Sequence, residues 1–346
     1  MRQLYVLLSG EHPTIPKAEV LAILDAESIS YSVSKEYDQV LIIKSEAIER
    51  VVEIICKRSA MARECGVFLA EVNLMKDEIL DKIRELNWTV LNGKTFAVRI
   101  KRIKGAGIAE DVRELEAMIG GEILRLVKGA KVRLKEPDIV VRGLMVEGKF
   151  LIGIKLGEVD RGAFERRRPK RRPFFHPSAM EPRLARAFVN LARTRRNKYF
   201  LDPYCGTGGF LIEASLIGAK ILGGDIKEEM VEGTIANLRY YGIENYDVVV
   251  HDARKLPFRE VDAIATDPPY GRSATTMHIS LPKLIEEFVF SASEVLVKER
   301  FMCIAVPLGI DIEKYAEGAG FKIVEEHDMR VHRSLIRRVL VLKKGV

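Results

Sequence analysis

A glycine-rich turn that reads Asp202-Pro-Tyr-Cys-Gly-Thr-Gly-Gly209 is the first feature of this sequence suited to ligand chemistry. The turn follows a predicted strand at 199–201 and precedes a predicted helix at 210–214. Its glycines let the backbone pass close to a ligand, and the N-terminus of the helix favours polar groups. Because nicotinamide and flavin enzymes carry the same kind of turn, this feature alone does not identify the ligand.

Two further aspartates follow the next predicted strands. Asp225 ends the strand at 221–224, where a carboxylate accepts hydrogen bonds from ribose hydroxyls, and Asp252 follows the strand at 247–250, where it can face an adenine amino group. Taken singly, each aspartate is better explained as a helix cap. Together with Asp202 they occupy three consecutive strand ends, which is where an open sheet places a ligand.

The segment Asp267-Pro-Pro-Tyr270 follows a fourth strand, at 262–265. Two consecutive prolines hold the backbone extended and remove competing N–H groups. The Asp267 carboxylate and the Pro268 carbonyl can then both accept hydrogens from one amino group, and Tyr270 offers a ring that can stack on a base. An isolated pair of prolines would indicate a rigid loop. In register with the three preceding sites, the segment predicts a binding site for an exocyclic amino group.

The elements that position these residues form a repeating pattern in the C-terminal half. After His176-Pro177 strands and helices alternate, which predicts a doubly wound α/β sheet over 180–346. Its strands are predicted at 199–201, 221–224, 247–250, 262–265, 302–306, 322–327 and 339–342.

The N-terminal half has a different pattern, typical of α+β units. Residues 1–72 read βαββαβ, the order of a ferredoxin-like unit, with elements at 3–9, 15–25, 31–33, 40–44, 46–62 and 67–72. Residues 73–157 form a second unit, with helices and strands at 76–86, 96–103, 111–127, 131–134, 139–146 and 150–156.

A basic run separates the two halves. Residues 161–172 read RGAFERRRPKRR, and such a run is not expected to enter a core, so we predict a linker or surface strap over 158–179. The formal net charge of +7 and pI near 9.1 favour a polyanionic partner. The alternative to RNA binding is that this run is only a solvated linker. The residues predicted to contact RNA phosphates are Arg161, Arg166, Arg167, Arg168, Lys170, Arg171 and Arg172.

Other classes of protein are not indicated. The four cysteines form neither a CxxC pair nor a Cys/His cluster, so we expect no zinc site and no disulfide framework. No apolar run approaches the roughly 20 residues of a membrane span. The N-terminal apolar stretch, Leu4 to Leu8, is better interpreted as a strand than as a signal peptide, which predicts a cytoplasmic protein. Abundant Lys, Arg and Glu with only Gln3 and Gln39 as glutamines indicate a thermophilic source.

With these motifs the sequence resembles the archaeal tRNA guanosine-10 N2-methyltransferases over essentially all 346 residues. The resemblance rests on the glycine-rich turn and Asp-Pro-Pro-Tyr, and on three further motifs: Lys135-Glu-Pro-Asp138, Phe175-His-Pro-Ser-Ala-Met180 and His332-Arg-Ser-Leu335. It implies a ferredoxin-like unit, a THUMP RNA-binding domain over 73–157 and a Rossmann-like class I methyltransferase domain over 180–346. The implied cofactor is S-adenosylmethionine, and the implied partner is tRNA.

The resemblance also implies roles for individual residues. Asp202, Gly206 and Gly208 would shape the methionine pocket, and Asp267 to Tyr270, including Pro268 and Pro269, would hold the target base. The implied cofactor site comprises His176, Asp202, Cys205, Gly206, Thr207, Gly208, Asp225 (ribose), Ile226, Asp252 (adenine), Ala253 and Asp267. We expect Cys205 to be a packed, inert thiol, since a cysteine nucleophile would have to stand beside the base.

The expected reaction is methyl transfer to the N2 amino group of a guanosine, at position 10 of tRNA, once or twice. Since the sulfonium supplies the leaving group, no metal is required. Several alternatives stay open: another position in tRNA, rRNA, and the adenine-N6 and glutamine methyltransferases that share Asp-Pro-Pro-Tyr. A non-catalytic RNA-binding module is the remaining alternative, against which the intact motifs argue.

Overall fold

The computed structural model describes residues 2–107, 111–269, 279–332 and 335–346, without the side chains of residues 330–336. Internal contacts divide the chain into two compact units. Unit 1 comprises Met1–Gly10, Ile29–Lys57 and Ala62–Val159, and unit 2 comprises Glu11–Ser28, Arg58–Met61 and Asp160–Val346.

The elements alternate along the whole chain. The first part contains β1 (Arg2–Leu8), α1 (Ile15–Ala26), β2 (Ser32–Tyr37), β3 (Val40–Ser45), α2 (Ile48–Arg58), β4 (Ala62–Asn73), α3 (Lys76–Glu85), β5 (Thr95–Arg102), α4 (Val112–Leu126), β6 (Lys131–Val132), β7 (Ile139–Val146) and β8 (Lys149–Glu158). The second part contains α5 (Arg161–Arg166), α6 (Pro182–Leu191), β9 (Tyr199–Asp202), α7 (Gly209–Ser215), β10 (Lys220–Asp225), α8 (Glu228–Tyr240), β11 (Tyr246–Val250), β12 (Val261–Thr266), α9 (Leu281–Val295), β13 (Leu296–Pro307), α10 (Ile312–Gly318), β14 (Phe321–His332) and β15 (Leu335–Lys344).

Unit 1 contains one eight-stranded sheet in the order β2-β3-β1-β4-β8-β7-β5-β6. Strand β1 pairs antiparallel with both β3 and β4, and the predicted βαββαβ order of residues 1–72 is confirmed. The strand predicted at 67–72 begins earlier, at Ala62, and pairs along its length with β8. The elements predicted for the ferredoxin-like and THUMP parts therefore share a single sheet.

Helices α3 and α4 cover part of this sheet because their apolar residues recur at helical spacing. Ile79 and Ile83 of α3 and Ile119 and Ile123 of α4 belong to a cluster of buried side chains that includes Phe96 of β5. Asp111 caps α4 by accepting a hydrogen bond from the backbone N–H of Arg113 at 2.7 Å.

Unit 2 contains a seven-stranded sheet in the order β11-β10-β9-β12-β13-β15-β14. Strands β9 to β13 are parallel to one another, whereas β15 runs antiparallel between β13 and β14. This is the Rossmann-like methyltransferase arrangement, and the predicted fold class is confirmed. The order of strands reverses between β9 and β12, and ligands of open α/β sheets bind outside the carboxyl ends of the strands at such a point.

Strands β9 and β12 are buried on both faces, to which their successive side chains point alternately. Phe200 and Ala263 belong to one hydrophobic cluster, and their chain neighbours Leu201 and Ile264 belong to another. Two layers of helices thus hold β9 and β12 in place, and with them the loops at their carboxyl ends.

Helix α1 belongs to unit 2 although its chain neighbours β1 and β2 belong to unit 1. Its buried Glu19 accepts hydrogen bonds from the backbone N–H of Ala60 and Met61, each at 2.9 Å, and from Asn190 Nδ2 at 2.9 Å. The division by contacts therefore departs from the predicted domains at residues 11–28 and 58–61.

The basic run at 161–172 differs from its prediction. Residues 161–166 form helix α5, Phe164 is buried, and Arg172 is only 5% exposed. The Arg167 guanidinium pairs with the fully buried Glu213, with Nε and Oε1 2.7 Å apart. The prediction that this run stays outside the core was wrong, because ion pairing and burial of the aliphatic stems let arginines enter it.

None of the helices in the described ranges combines the length and the apolar character that a membrane span requires.

Candidate active site

A cavity of about 310 Å³ opens where the parallel strands of unit 2 end. Its volume lies within the range of ordinary small-molecule sites. It brings together eleven of the residues predicted from sequence: His176, Cys205, Gly206, Thr207, Asp225, Ile226, Asp252, Ala253, Asp267, Pro268 and Pro269. Side chains from the ends of β9, β10, β11 and β12 thus share one cavity.

The glycine-rich turn forms one wall of this cavity. Gly206 and Gly208 have φ angles of 51° and 78°, in the left-handed region that glycine adopts without steric cost. A side chain on Gly208 would also bring its Cβ to 3.0 Å from Thr234 Cγ2. Helix α7 can therefore begin directly after the turn, with Gly208 as its N-cap.

Asp225 lies at the end of β10 and is held by the backbone of that wall. Its Oδ2 accepts a hydrogen bond from the N–H of Gly206 at 3.1 Å, and its Oδ1 accepts one from the N–H of Lys227 at 3.0 Å. A carboxylate has about four lone-pair positions, so these two bonds leave it acceptor capacity for hydroxyl groups.

Asp202 lies behind the wall and does not line the cavity. It is 0% exposed, and its Oδ1 accepts hydrogen bonds from Thr266 Oγ1 at 2.8 Å and from the N–H of Tyr204 at 3.3 Å. Burial raises its pKa to about 8. Asp202 thus joins β9 to β12 and shapes the cavity through the turn that follows it. Gly208, too, is not among the lining residues.

Asp252 lies after β11 and forms an ion pair across the rim of the cavity. Arg254 Nε is 2.9 Å from Asp252 Oδ2, and these hydrogen bonds lower the pKa of the Asp252 carboxyl. Arg254 lines the same cavity, so a ligand amino group at Asp252 would lie beside a cation. The sequence predicted a site role for Asp252 but did not predict its ion pair with Arg254.

Asp267 lies at the end of β12 and forms an ion pair with Arg337 of β15. Arg337 Nη1 is 2.9 Å from Asp267 Oδ2, and both residues line the cavity. Pro268 and Pro269 continue the same wall, and Tyr270 lies outside the described residues. Sequence reasoning missed Arg337. The signal that could have found it is its place at the start of a strand that runs antiparallel to the parallel strands, since that strand begins where the others end.

Three further side chains line the cavity. His176 is exposed at the rim, with Nδ1 2.7 Å from Ser178 Oγ. His251 is buried edge-on against Phe258, and burial lowers the pKa of its imidazole. Cys205 is buried, with Sγ 3.6 Å from Thr234 Oγ1, and burial raises the pKa of its thiol, which suits a packing role.

The residues predicted to contact RNA separate into two groups. Arg167 and Arg172 are turned into the interior of unit 2. Arg166, Arg168, Lys170 and Arg171 are exposed, and Arg161 is half-buried. The exposed group can contact phosphates without unfolding of the segment around it, whereas Arg167 and Arg172 cannot. In the described part of the chain, no group of three or more His, Cys, Asp or Glu residues is arranged like a metal site.

Comparison with known families covers both halves of the chain. The family model described as the RMKL-like methyltransferase domain matches residues 169–338, and the THUMP domain model matches residues 76–155.

Individual relatives match along the whole length. The tRNA (guanine(10)-N2)-dimethyltransferase of Methanothermobacter thermautotrophicus is 39% identical over 343 residues, with 99% of each chain covered. The protein of the same name from Pyrococcus abyssi is also 39% identical over 343 residues, with 98% of this chain and 99% of the relative covered. Among solved structures, TrmN from Thermus thermophilus matches with a TM-score of 0.56 and 22% identity over 99% of each chain, a likeness of fold.

Proposed function

Because this chain belongs to the tRNA (guanine(10)-N2)-dimethyltransferase family, we propose that it methylates the N2 amino group of guanosine 10 in tRNA, once and then a second time. The observation that carries this proposal is the meeting of Asp267-Pro-Pro with the glycine-rich turn and Asp225 around one cavity. The methyl donor is S-adenosylmethionine, which when bound supplies an electrophilic methyl group on a sulfonium centre.

The cofactor side of the cavity, which we define as Gly206, Thr207, Asp225 and Asp252, has the donors and acceptors that this molecule needs. The left-handed turn at Gly206 keeps side chains out of the methionine path. The Asp225 carboxylate, fixed by two backbone N–H groups, accepts hydrogens from the ribose hydroxyls. Asp252 accepts from the adenine amino group.

The acceptor side, which we define as Asp267, Pro268, Pro269 and Arg337, orients the base. The lone pair of a guanine amino group is delocalised into the ring and attacks poorly. When the Asp267 carboxylate and the Pro268 carbonyl accept its two hydrogens, electron density returns to nitrogen and the lone pair points toward the methyl carbon. Methyl transfer to N2 would release one of these two hydrogens as a proton, which would pass to the Asp267 carboxylate that already accepts it.

Capture of tRNA falls to unit 1 and to the exposed members of the basic run, Arg166, Arg168, Lys170 and Arg171. Contacts of this kind bind phosphates without reading the sequence and weaken as salt rises. The THUMP model that matches residues 76–155 supports this assignment. With tRNA as its substrate, we propose that the enzyme acts in the cytoplasm.

The test is methyl transfer from radiolabelled S-adenosylmethionine to a tRNA transcript, a DNA duplex and a protein extract, followed by mass spectrometry of the nucleosides. We expect N2-methylguanosine and then N2,N2-dimethylguanosine, lost when guanosine 10 is replaced by adenosine. Label in N6-methyladenosine, in glutamine or at another guanosine would replace the proposal with one of the alternatives.

A further inference from the structure

We propose that Arg337 is a specificity-determining residue that selects guanine by donating a hydrogen bond to its O6 atom while Asp267 holds the amino group. This inference rests on the proposed function, since it assigns the second contact of the base at the same site. It goes beyond that function because it states how the cavity distinguishes guanine from other purines that carry an amino group.

The topology of unit 2 is what brings Arg337 to the site. Strand β15 runs antiparallel to β13, and Arg337 lies opposite Pro307, the last residue of β13. The start of β15 therefore lies at the same edge of the sheet as the carboxyl end of β12, where Asp267 follows. The next residue, Arg338, pairs instead with Glu326 and Glu313, as expected when successive side chains of a strand point to opposite faces.

The Arg337–Asp267 pair is partly removed from solvent. The side chains are 17% and 16% exposed, and the contact between Nη1 and Oδ2 measures 2.9 Å. A carboxylate carries two oxygens and a guanidinium carries five N–H donors, so the contact between Nη1 and Oδ2 uses only part of the capacity of either group. The pair presents acceptors and donors side by side, at fixed spacing, to whatever occupies the cavity.

That arrangement matches the Watson–Crick edge of guanine. Along this edge the N2 amino group and N1–H are donors, and O6 beyond them is an acceptor. Asp267 accepts from the donors, and Arg337 donates to O6. In adenine an amino group replaces O6 and would meet the donors of Arg337 instead, so the same pair disfavours adenine. A planar guanidinium suits this role better than an ammonium because it can serve two acceptors at once.

The experiment compares two acceptors with four enzymes. The acceptors are a tRNA with guanine at position 10 and the same tRNA with 2-aminopurine there, which keeps the 2-amino group but lacks O6. The enzymes are wild type, Arg337→Ala, Arg337→Lys and the matched control Arg338→Ala from the same strand. The readouts are kcat and KM for methyl transfer, with S-adenosylhomocysteine binding by calorimetry as the measure of an intact fold.

We expect wild type to prefer guanine by about 5- to 150-fold in kcat/KM, the range of a good arginine–base contact. Arg337→Ala should reduce this preference at least about fivefold while it binds S-adenosylhomocysteine like wild type. Arg337→Lys should lie between the two, and Arg338→Ala should keep the full preference. 2-Aminopurine also lacks N1–H, and this loss is the same for all four enzymes. The change in guanine preference from one enzyme to another therefore measures the O6 contact.

Two results would overturn the inference, and one of them requires no variant. Equal kcat/KM on guanine and 2-aminopurine by wild type would do so directly, whatever the folding of the variants. An unchanged preference in Arg337→Ala would show that the ion pair is structural. In both cases wild-type methylation of guanosine 10 would leave the proposed function standing, whereas its absence would remove the function and this inference together.

Discussion

In the cavity of unit 2, Asp225 on the cofactor side and Asp267 on the acceptor side are held in different ways. On the cofactor side, the backbone N–H groups of Gly206 and Lys227 fix Asp225. On the acceptor side, Asp267 pairs with the side chain of Arg337, which lies 70 residues away in the chain. A backbone N–H group has one hydrogen to donate and gives it to the carboxylate, whereas a guanidinium has five N–H donors and can share them with a ligand.

This difference indicates that Asp225 serves the affinity for the cofactor, whereas Asp267 and Arg337 serve the selection of the base. A carboxylate held by backbone donors is already placed for a ligand that every catalytic cycle uses. A carboxylate held by an arginine can offer both donors and acceptors to a base that must be distinguished from others. Substitutions on the two sides should therefore change different measured quantities.

The largest effect is expected on the acceptor side. Asp267→Ala should lower kcat for tRNA methylation at least about a hundredfold, because it removes an acceptor that acts on the reacting nitrogen. The affinity for S-adenosylmethionine, measured by calorimetry, should stay near that of wild type. Asp267→Asn, which keeps one acceptor oxygen, should lie between the two. Turnover at the wild-type rate by Asp267→Ala would remove this residue from the mechanism.

The next effect is expected on the cofactor side. Asp225→Ala should weaken S-adenosylmethionine binding by about 1.5–3 kcal/mol, the usual contribution of hydrogen bonds to a charged group. Once the cofactor is saturating, kcat should recover substantially, in contrast to Asp267→Ala. An unchanged dissociation constant would mean that Asp225 only braces the turn through Gly206.

A third carboxylate, that of Asp202, lies behind the wall formed by the glycine-rich turn, and its titration tests whether its role is structural. Burial raises its pKa to about 8, so the folded protein binds a proton at Asp202 that the unfolded chain releases above about pH 4. The stability contributed by this proton is present below pH 4 and is lost as pH rises to about 8.

Asp202→Asn, which mimics the neutral form, should therefore become more stable relative to wild type as pH rises from about 4 to 8, by at most about 1.4 kcal/mol per pH unit. Guanidinium unfolding curves at pH 5, 6.5 and 8 measure the difference. A difference that stays constant with pH would show that Asp202 is ionised in the folded protein.

The smallest effect is expected outside the cavity. The double substitution Lys170→Ala and Arg171→Ala removes two exposed charges and should reduce the slope of log K for tRNA against log salt by about 2. Cofactor affinity should not change. The matched substitution Arg167→Ala leaves Glu213 without one of its ion-pair partners, and should lower stability instead of the salt slope. A salt slope that stays at the wild-type value in the double variant would place the tRNA contacts elsewhere.

Much of this molecule could be predicted from sequence because the relevant signals are local. Asp225, Asp252 and Asp267 lie at or within two residues of the ends of β10, β11 and β12, and parallel strands end at one edge of a sheet. For the same reason the order of the strands in both halves could be predicted, with errors at boundaries such as the start of β4.

What the tertiary structure alone decided depends on partners that are distant in the chain. Asp202 ends its strand as Asp225 does, yet it turns into the sheet because Thr266 of the neighbouring strand binds it there. The arginines at 167 and 172 are as basic as their neighbours, but Arg167 is held inside by Glu213, and Arg172 donates from Nε to the carbonyl of Arg167. Arg337 reaches Asp267 only because β15 is inserted antiparallel beside β13. Residue type and spacing predict which groups lie at the edge of a sheet, whereas strand direction and long-range pairing determine which of them meet.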